Sequence, residues 1–364
     1  MAKSAKNGKI EFFRFVFCII ILLFHCGKQF LPKVAYGAAY RFSLFSHGAI
    51  GVEFFFLVSG WLMAKAAFKS LGINGENISS EALAKEYGSF MKRKYMSIFP
   101  QHAAAFVITV ICYIVSYGLN AFQSWEYILG AIPNLFLFQM SGVYFTDPNH
   151  IEWYISAMLI SMAIIYPLLR KKYFAFTRWI APILALLIVG YLTYETGSLT
   201  GVLVWQGLCF KSLLRAFADI ALGCCCFEYS RYLSNAKLSK GKIAAMTIGE
   251  ILLFALCILF ALLTMSLKYE AYALIALFFM VAFAFSGRTA GAKIFNNGFF
   301  YYLGKLSLPI YLTQLAAIYL VDGFGEDLTD VQKIWLSVLI TFVFAYIVML
   351  FGFLLNLPAR RKNK

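Results

Sequence analysis

Residues 10–30 read IEFFRFVFCIIILLFHCGKQF, an apolar run long enough to cross a bilayer as a helix. It carries two residues that a purely structural span has no use for, Arg14 and His25. At about 100° per residue the interval between them is three turns plus roughly 20°, so both side chains leave the helix on one face. The rise between them is about 16 Å, over half of the hydrocarbon thickness. One face therefore offers a cation near one membrane surface and a titratable imidazole nearer the other. Ionisable groups inside a span are costly, turn toward a bundle interior or a water-filled cavity, and mark function. The plainer reading, in which Arg14 snorkels to the headgroups and His25 is interfacial, explains each residue alone better than the pair.

Composition extends this to the whole chain. Of 364 residues, 62% are hydrophobic and 13% charged, and the mean hydropathy is +0.76, whereas a soluble domain carries about 25% charged residues. The chain reads as an all-α, polytopic integral membrane protein. Its net charge of +15 comes from short Lys and Arg clusters between apolar runs, a pattern of topology signals and contacts with membrane lipids, so no nucleic-acid partner is expected. The basic start MAKSAKNGK precedes an apolar core with no small-x-small cleavage site, which reads as a retained signal anchor. The eight cysteines lack paired metal spacing; they read as small buried residues, and no metal is expected.

Further apolar runs lie at about 48–66, 98–118, 127–145, 151–169, 179–195, 212–229, 243–266, 270–287, 298–321 and 334–356. Basic clusters at Lys92-Arg93-Lys94, Arg170-Lys171-Lys172, 231–242, 288–293 and Arg360-Arg361-Lys362 belong in the cytoplasm with the N-terminus by the positive-inside rule. The acidic stretch 322–330 then falls outside. The alternation fails if 127–145 spans. That run contains Pro133 and Asn134 and ends in TDPNH, so it is expected to be re-entrant or surface-lying. Ten spans remain, with both termini cytoplasmic in a bacterial inner membrane and 68–97 as the longest cytoplasmic loop. Only LPARRKNK follows the last run, and the expectation is a single transmembrane domain over 1–364 with no attached soluble domain.

Glu53 lies near the outer end of the second run and His25 near the outer end of the first. At comparable depth, the carboxylate would orient the imidazole as a general base or nucleophile; the alternative is that Glu53 neutralises a nearby Lys or Arg. Gly51, Ser59 and Gly60 allow close helix packing. Lys92, Arg93 and Lys94 suit the phosphates of a nucleotide-type donor, and equally anionic lipid headgroups. His150, Glu152, Trp153 and Tyr154 cluster at an outer end, and His102 starts the third run on the cytoplasmic side. Arg215 and Asp219 have the i,i+4 spacing of a pair. With Glu250, Lys305, Ser307 and Gln314, these residues imply a polar cavity through the bundle.

These residues carry a resemblance to the acyltransferase 3 family of bacterial membrane acyltransferases, extending over nearly the whole chain. The family's Arg, ten residues, His hallmark is met by Arg14 and His25. Its Gly-Val-acid-x-Phe-Phe…Ser-Gly run is met by GVEFFFLVSG with Glu53, Ser59 and Gly60, and its basic stretch ending in Ile-aromatic-Pro by KRKYMSIFP. WYISA (Trp153–Ala157) and LGKLSLPIYL match later segments. Two positions depart from the pattern. Ser97 stands where the family often repeats a cation, and Gln314 where it often has His. Many members also carry a C-terminal extracytoplasmic hydrolase-like domain.

The resemblance implies transfer of an acyl group, expected to be acetyl, from acetyl-CoA to a hydroxyl of a cell-surface or lipid-linked saccharide. His25 would be general base or acyl-carrying nucleophile, with Glu53 orienting it. Arg14, Arg93 and Lys94 would hold the donor phosphates, and Trp153 and Tyr154 the acceptor sugar. With His25 near the outer face, either the thioester reaches deep into the bundle or the acyl group is relayed. The rival class is a transporter, such as a flippase for a lipid-linked sugar, for which inward-facing charges are equally suited.

Overall fold

In the computed structural model, residues 7–31, 45–143, 146–263 and 269–355 are described; the basic cluster at 360–362 lies outside them. The chain is almost wholly helical. In order, the helices are α1 (Gly8–Phe30), α2 (Ile50–Asn74), α3 (Ser80–Ser116), α4 (Ala121–Leu135), α5 (Trp153–Lys171), α6 (Tyr173–Ala175), α7 (Ala181–Thr196), α8 (Lys211–Asn235), α9 (Lys240–Leu262), α10 (Glu270–Ser286), α11 (Ala292–Phe295), α12 (Gly298–Phe324) and α13 (Asp330–Leu355). A π-helical turn, Phe176–Ile180, joins α6 to α7. A two-residue hairpin, β1 (Trp205–Gln206) and β2 (Cys209–Phe210), precedes α8.

Side-chain caps set several starts: Asn7 accepts from Lys9 N and Ile10 N, Ser79 from Ala82 N, and Asn120 and Gln123 form a reciprocal capping box. Ser79 matters for the connection after α2. The expected loop 68–97 is mostly helix, because α2 continues to Asn74 and α3 already starts at Ser80. Polarity ended the apolar runs there without ending the helices. The fully buried Arg170 of α5 locks this corner: its Nε donates to Glu86 Oε1 at 3.1 Å and its Nη1 to Gly75 O at 2.8 Å.

Among the described residues, eight helical segments are long and apolar enough to cross a membrane. The ten-helix bundle is completed by α10 and by α8, whose charged residues are sheltered by neighbouring helices. α2 and α8 run parallel and cross at glycines. A Cβ on Gly60 would meet Ile220 O at 2.2 Å, and one on Gly223 would meet Leu57 O at 2.3 Å, so only glycine permits this approach.

Helix α4 does not cross. It packs antiparallel to α3, with Tyr113 stacked on Tyr127 at 4.3 Å and His102 Nε2 3.1 Å from Leu135 O. His102 lies fourteen residues before the end of α3, so α4 descends about 20 Å into the bundle. The chain then follows α12, where Tyr319 donates to Pro148 O at 3.2 Å and Asn149 Nδ2 to Leu312 O at 2.9 Å, before α5 starts at that depth. With α4 re-entrant, the described ends of the chain lie at one end of the bundle, together with the basic connections 170–172 and 235–242; this is called the basic end below.

Candidate functional site

Helices α1, α2, α3, α5 and α12 enclose a cavity of about 250 Å³ in the basic half of the bundle, lined by Arg14, Ser59, Lys94, Tyr154, Ser307 and Tyr311 among others. Arg14 is held by its own helix: Nη1 donates to Glu11 Oε2 at 3.0 Å, one turn earlier, while its side chain stays 32% exposed. Lys94, from a helix remote in sequence, meets the Arg14 charge at the same cavity. Two cations thus converge on one space, where an anion can take charge-assisted hydrogen bonds from both. Deeper in, Ser59 Oγ and Tyr154 Oη lie 3.4 Å apart, and Tyr311 Oη donates to Ile151 O. Ser97 also lines the cavity, its hydroxyl donating to Lys94 O at 2.7 Å. Arg93 is exposed on α3 and does not line it, as a step of about 100° around the helix dictates.

His25 lies on α1 three turns farther from the basic end than Arg14. It is half-buried and makes no side-chain hydrogen bond among the described residues; His150 and Lys28 lie in its neighbourhood. Glu53 is not beside it. The register of α1 against α2 explains this, because Phe17 stacks on Phe54 at 4.6 Å and Gly51 rests on Phe17 and Ile21. That places Glu53 level with Cys18, about 10 Å nearer the basic end than His25.

Glu53 pairs instead with Arg215 of α8, each side chain under 5% exposed. Arg215 Nη2 also donates to Ala49 O at 3.2 Å, and its guanidinium lies 5.7 Å from the Trp153 ring centre. The expected Arg215–Asp219 pair does not form: both Asp219 carboxylate oxygens, and Glu53 Oε2, are buried without a hydrogen-bond partner among the described residues. Two carboxyl groups therefore crowd one guanidinium. Trp153 is wedged between Arg215 and Phe56 and is 6% exposed, so its face is covered, whereas Tyr154 opens into the cavity with Arg14.

His102, expected at the cytoplasmic start of the third span, sits instead in the middle of α3. It lies fully buried deep in the bundle, with Nδ1 3.0 Å from Glu152 Oε1 and Nε2 3.1 Å from both Asn134 O and Leu135 O. Two carbonyls facing Nε2 require its proton there, and Nδ1 faces the Glu152 carboxylate. The pair ties α3 to the C-terminus of α4 and the start of α5. Its members are fifty residues apart, and no local spacing signals it. Among the other polar residues, Glu250 pairs with Lys9 at 3.1 Å, Gln314 is buried with Oε1 unpartnered, and Lys305 is exposed.

Compared with known proteins, residues 7–356 match a family described as an acyltransferase domain. No curated protein and no solved structure matches the chain.

Proposed function

This chain belongs to the acyltransferase-domain family and is a membrane acyltransferase, and from that premise we propose that it moves acetyl from acetyl-CoA to a hydroxyl of a cell-surface or lipid-linked saccharide. The observation that carries the reading is the cavity where Arg14 and Lys94 meet; the helical period puts His25 on the Arg14 face of α1. In this reading the basic end faces the cytoplasm on the strength of its Lys and Arg clusters. Arg14 and Lys94 take the donor phosphates, with Arg93 adding to the field around the entrance. The donor's thioester arm then runs along Ser59, Tyr154, Ser307 and Tyr311 toward His25.

His25 suits a general base because no other described side chain engages its ring nitrogens. The acceptor oxygen attacks the thioester carbonyl carbon, a C–O bond forms as the C–S bond breaks, and His25 takes the hydroxyl proton and passes it to the departing thiolate. Glu53 acts at a distance, by fixing α2 against α8 through Arg215. With Trp153 covered in this state, Tyr154 is the aromatic residue nearer the reacting groups.

The test is acetyl-CoA consumption by the purified protein with extracted surface glycan, alongside mass spectrometry of glycan from cells with and without the gene. A lost acetyl group and glycan-dependent thiol release are expected. Absence of both overturns the acetyl and saccharide assignment.

A further inference from the structure

A second cavity lies away from the one just described and shares none of its lining residues. It is a groove of about 770 Å³ between the π-helical turn before α7, the C-terminal half of α8, and α10. Arg178, Glu228, Arg231, Tyr229, Phe278 and Phe279 define its chemistry.

Its two cations differ in their bonding. Arg231 is committed: Nη2 donates to Glu228 Oε2 at 2.7 Å, and its guanidinium lies over the Phe68 ring at 4.6 Å. Arg178 is exposed and has no carboxylate partner among the described residues; its guanidinium lies 5.0 Å from the Phe174 ring centre. The π-helical turn Phe176–Ile180 presents it, and such single turns recur at functional sites. The groove therefore has one more cation than anion, and its uncommitted charge is a guanidinium, the group best matched to phosphate.

Four aromatic side chains, Tyr229, Tyr232, Phe278 and Phe279, make up most of the rest of the lining, with Tyr229 stacked on Phe278 at 6.2 Å and Cys225, Asn235 and Ala236 beside them. The flanking surface is exposed and apolar: Trp179 is 68% exposed, Ile183 54% and Leu186 73%. In a membrane-spanning bundle such a surface faces lipid, so the groove opens sideways to the bilayer at the level of the basic connections, where headgroups lie. An occupant must be anionic at one end and apolar along its length.

We propose that this groove is a binding site for one anionic phospholipid, its phosphate on Arg178 and its chains along Phe278 and Phe279. The delipidated full-length protein in detergent is titrated with phosphatidylglycerol, with phosphatidylcholine and with inorganic phosphate, and bound species are counted by native mass spectrometry. One retained phosphatidylglycerol is expected, displaced by neither of the other two. Arg178→Gln should weaken its binding at least about tenfold, the loss of a charge-assisted contact. Arg178 is exposed and has no carboxylate partner among the described residues, so this variant should keep the fold, which its size-exclusion profile checks. Lys171→Gln, an exposed cation at the same end outside the groove, should bind as wild type. Equal retention of phosphatidylcholine, displacement by inorganic phosphate, unchanged binding by Arg178→Gln, or an equal loss in Lys171→Gln each overturns the site.

Discussion

Glu53 of α2 and Arg215 of α8 form a buried ion pair next to Asp219, whose two carboxylate oxygens have no hydrogen-bond partner among the described residues. The pair lies along the α2–α8 seam that Gly60 and Gly223 bring close. Arg215→Ala leaves two buried carboxyl groups uncompensated and should destabilise the protein by about 3–5 kcal/mol. Glu53→Gln should cost less, because Asp219 can then turn to the guanidinium. Thermal unfolding in detergent checks the order; equal midpoints for the two variants would remove the argument.

The glycine crossing makes its own prediction. Gly60→Ala or Gly223→Ala puts a methyl group against backbone of the facing helix, which a side-chain shift cannot relieve. Overpacking of this kind costs about 1–3 kcal/mol. Lower unfolding midpoints are expected for both, with Gly72→Ala as the control, since nothing lies within 4 Å of its added Cβ.

For donor binding, Arg14→Ala and Lys94→Ala should each raise the acetyl-CoA KM at least about tenfold, by removing a charge-assisted contact to phosphate. Arg93→Ala should change it far less, since Arg93 lies outside the cavity. Steady-state kinetics in acetyl-CoA separates the three, and a larger effect at Arg93 than at Lys94 would refute the cavity assignment.

His25→Ala should lower kcat by about 10²–10⁴-fold while the unfolding midpoint stays near wild type, because the ring makes no side-chain hydrogen bond among the described residues. His102→Ala should do the reverse first. It strips the proton donor from two carbonyls and leaves Glu152 buried and alone, so a loss of about 3–5 kcal/mol in stability is expected. Turnover and unfolding measured on both variants distinguish the roles.

What the sequence determined by itself is whatever depends on one helix at a time. Hydropathy marks the candidate spans, charge parity requires that 127–145 not cross, leaving it re-entrant or surface-lying, and the 3.6-residue period puts Arg14 and His25 on one face of α1. Tertiary structure decided everything that depends on how one helix is registered or rotated against another. Seating Phe17 against Phe54 drops Glu53 about 10 Å below His25, and the parallel α8 then supplies its partner in Arg215. Rotation of α3 selects Lys94 over Arg93. The descent of α4 brings Asn134 and Leu135 to His102, with Glu152 completing the set. Depth and azimuth between helices come from side-chain packing distributed along both partners, and so the chemistry of a buried charge depends on residues far from it in sequence.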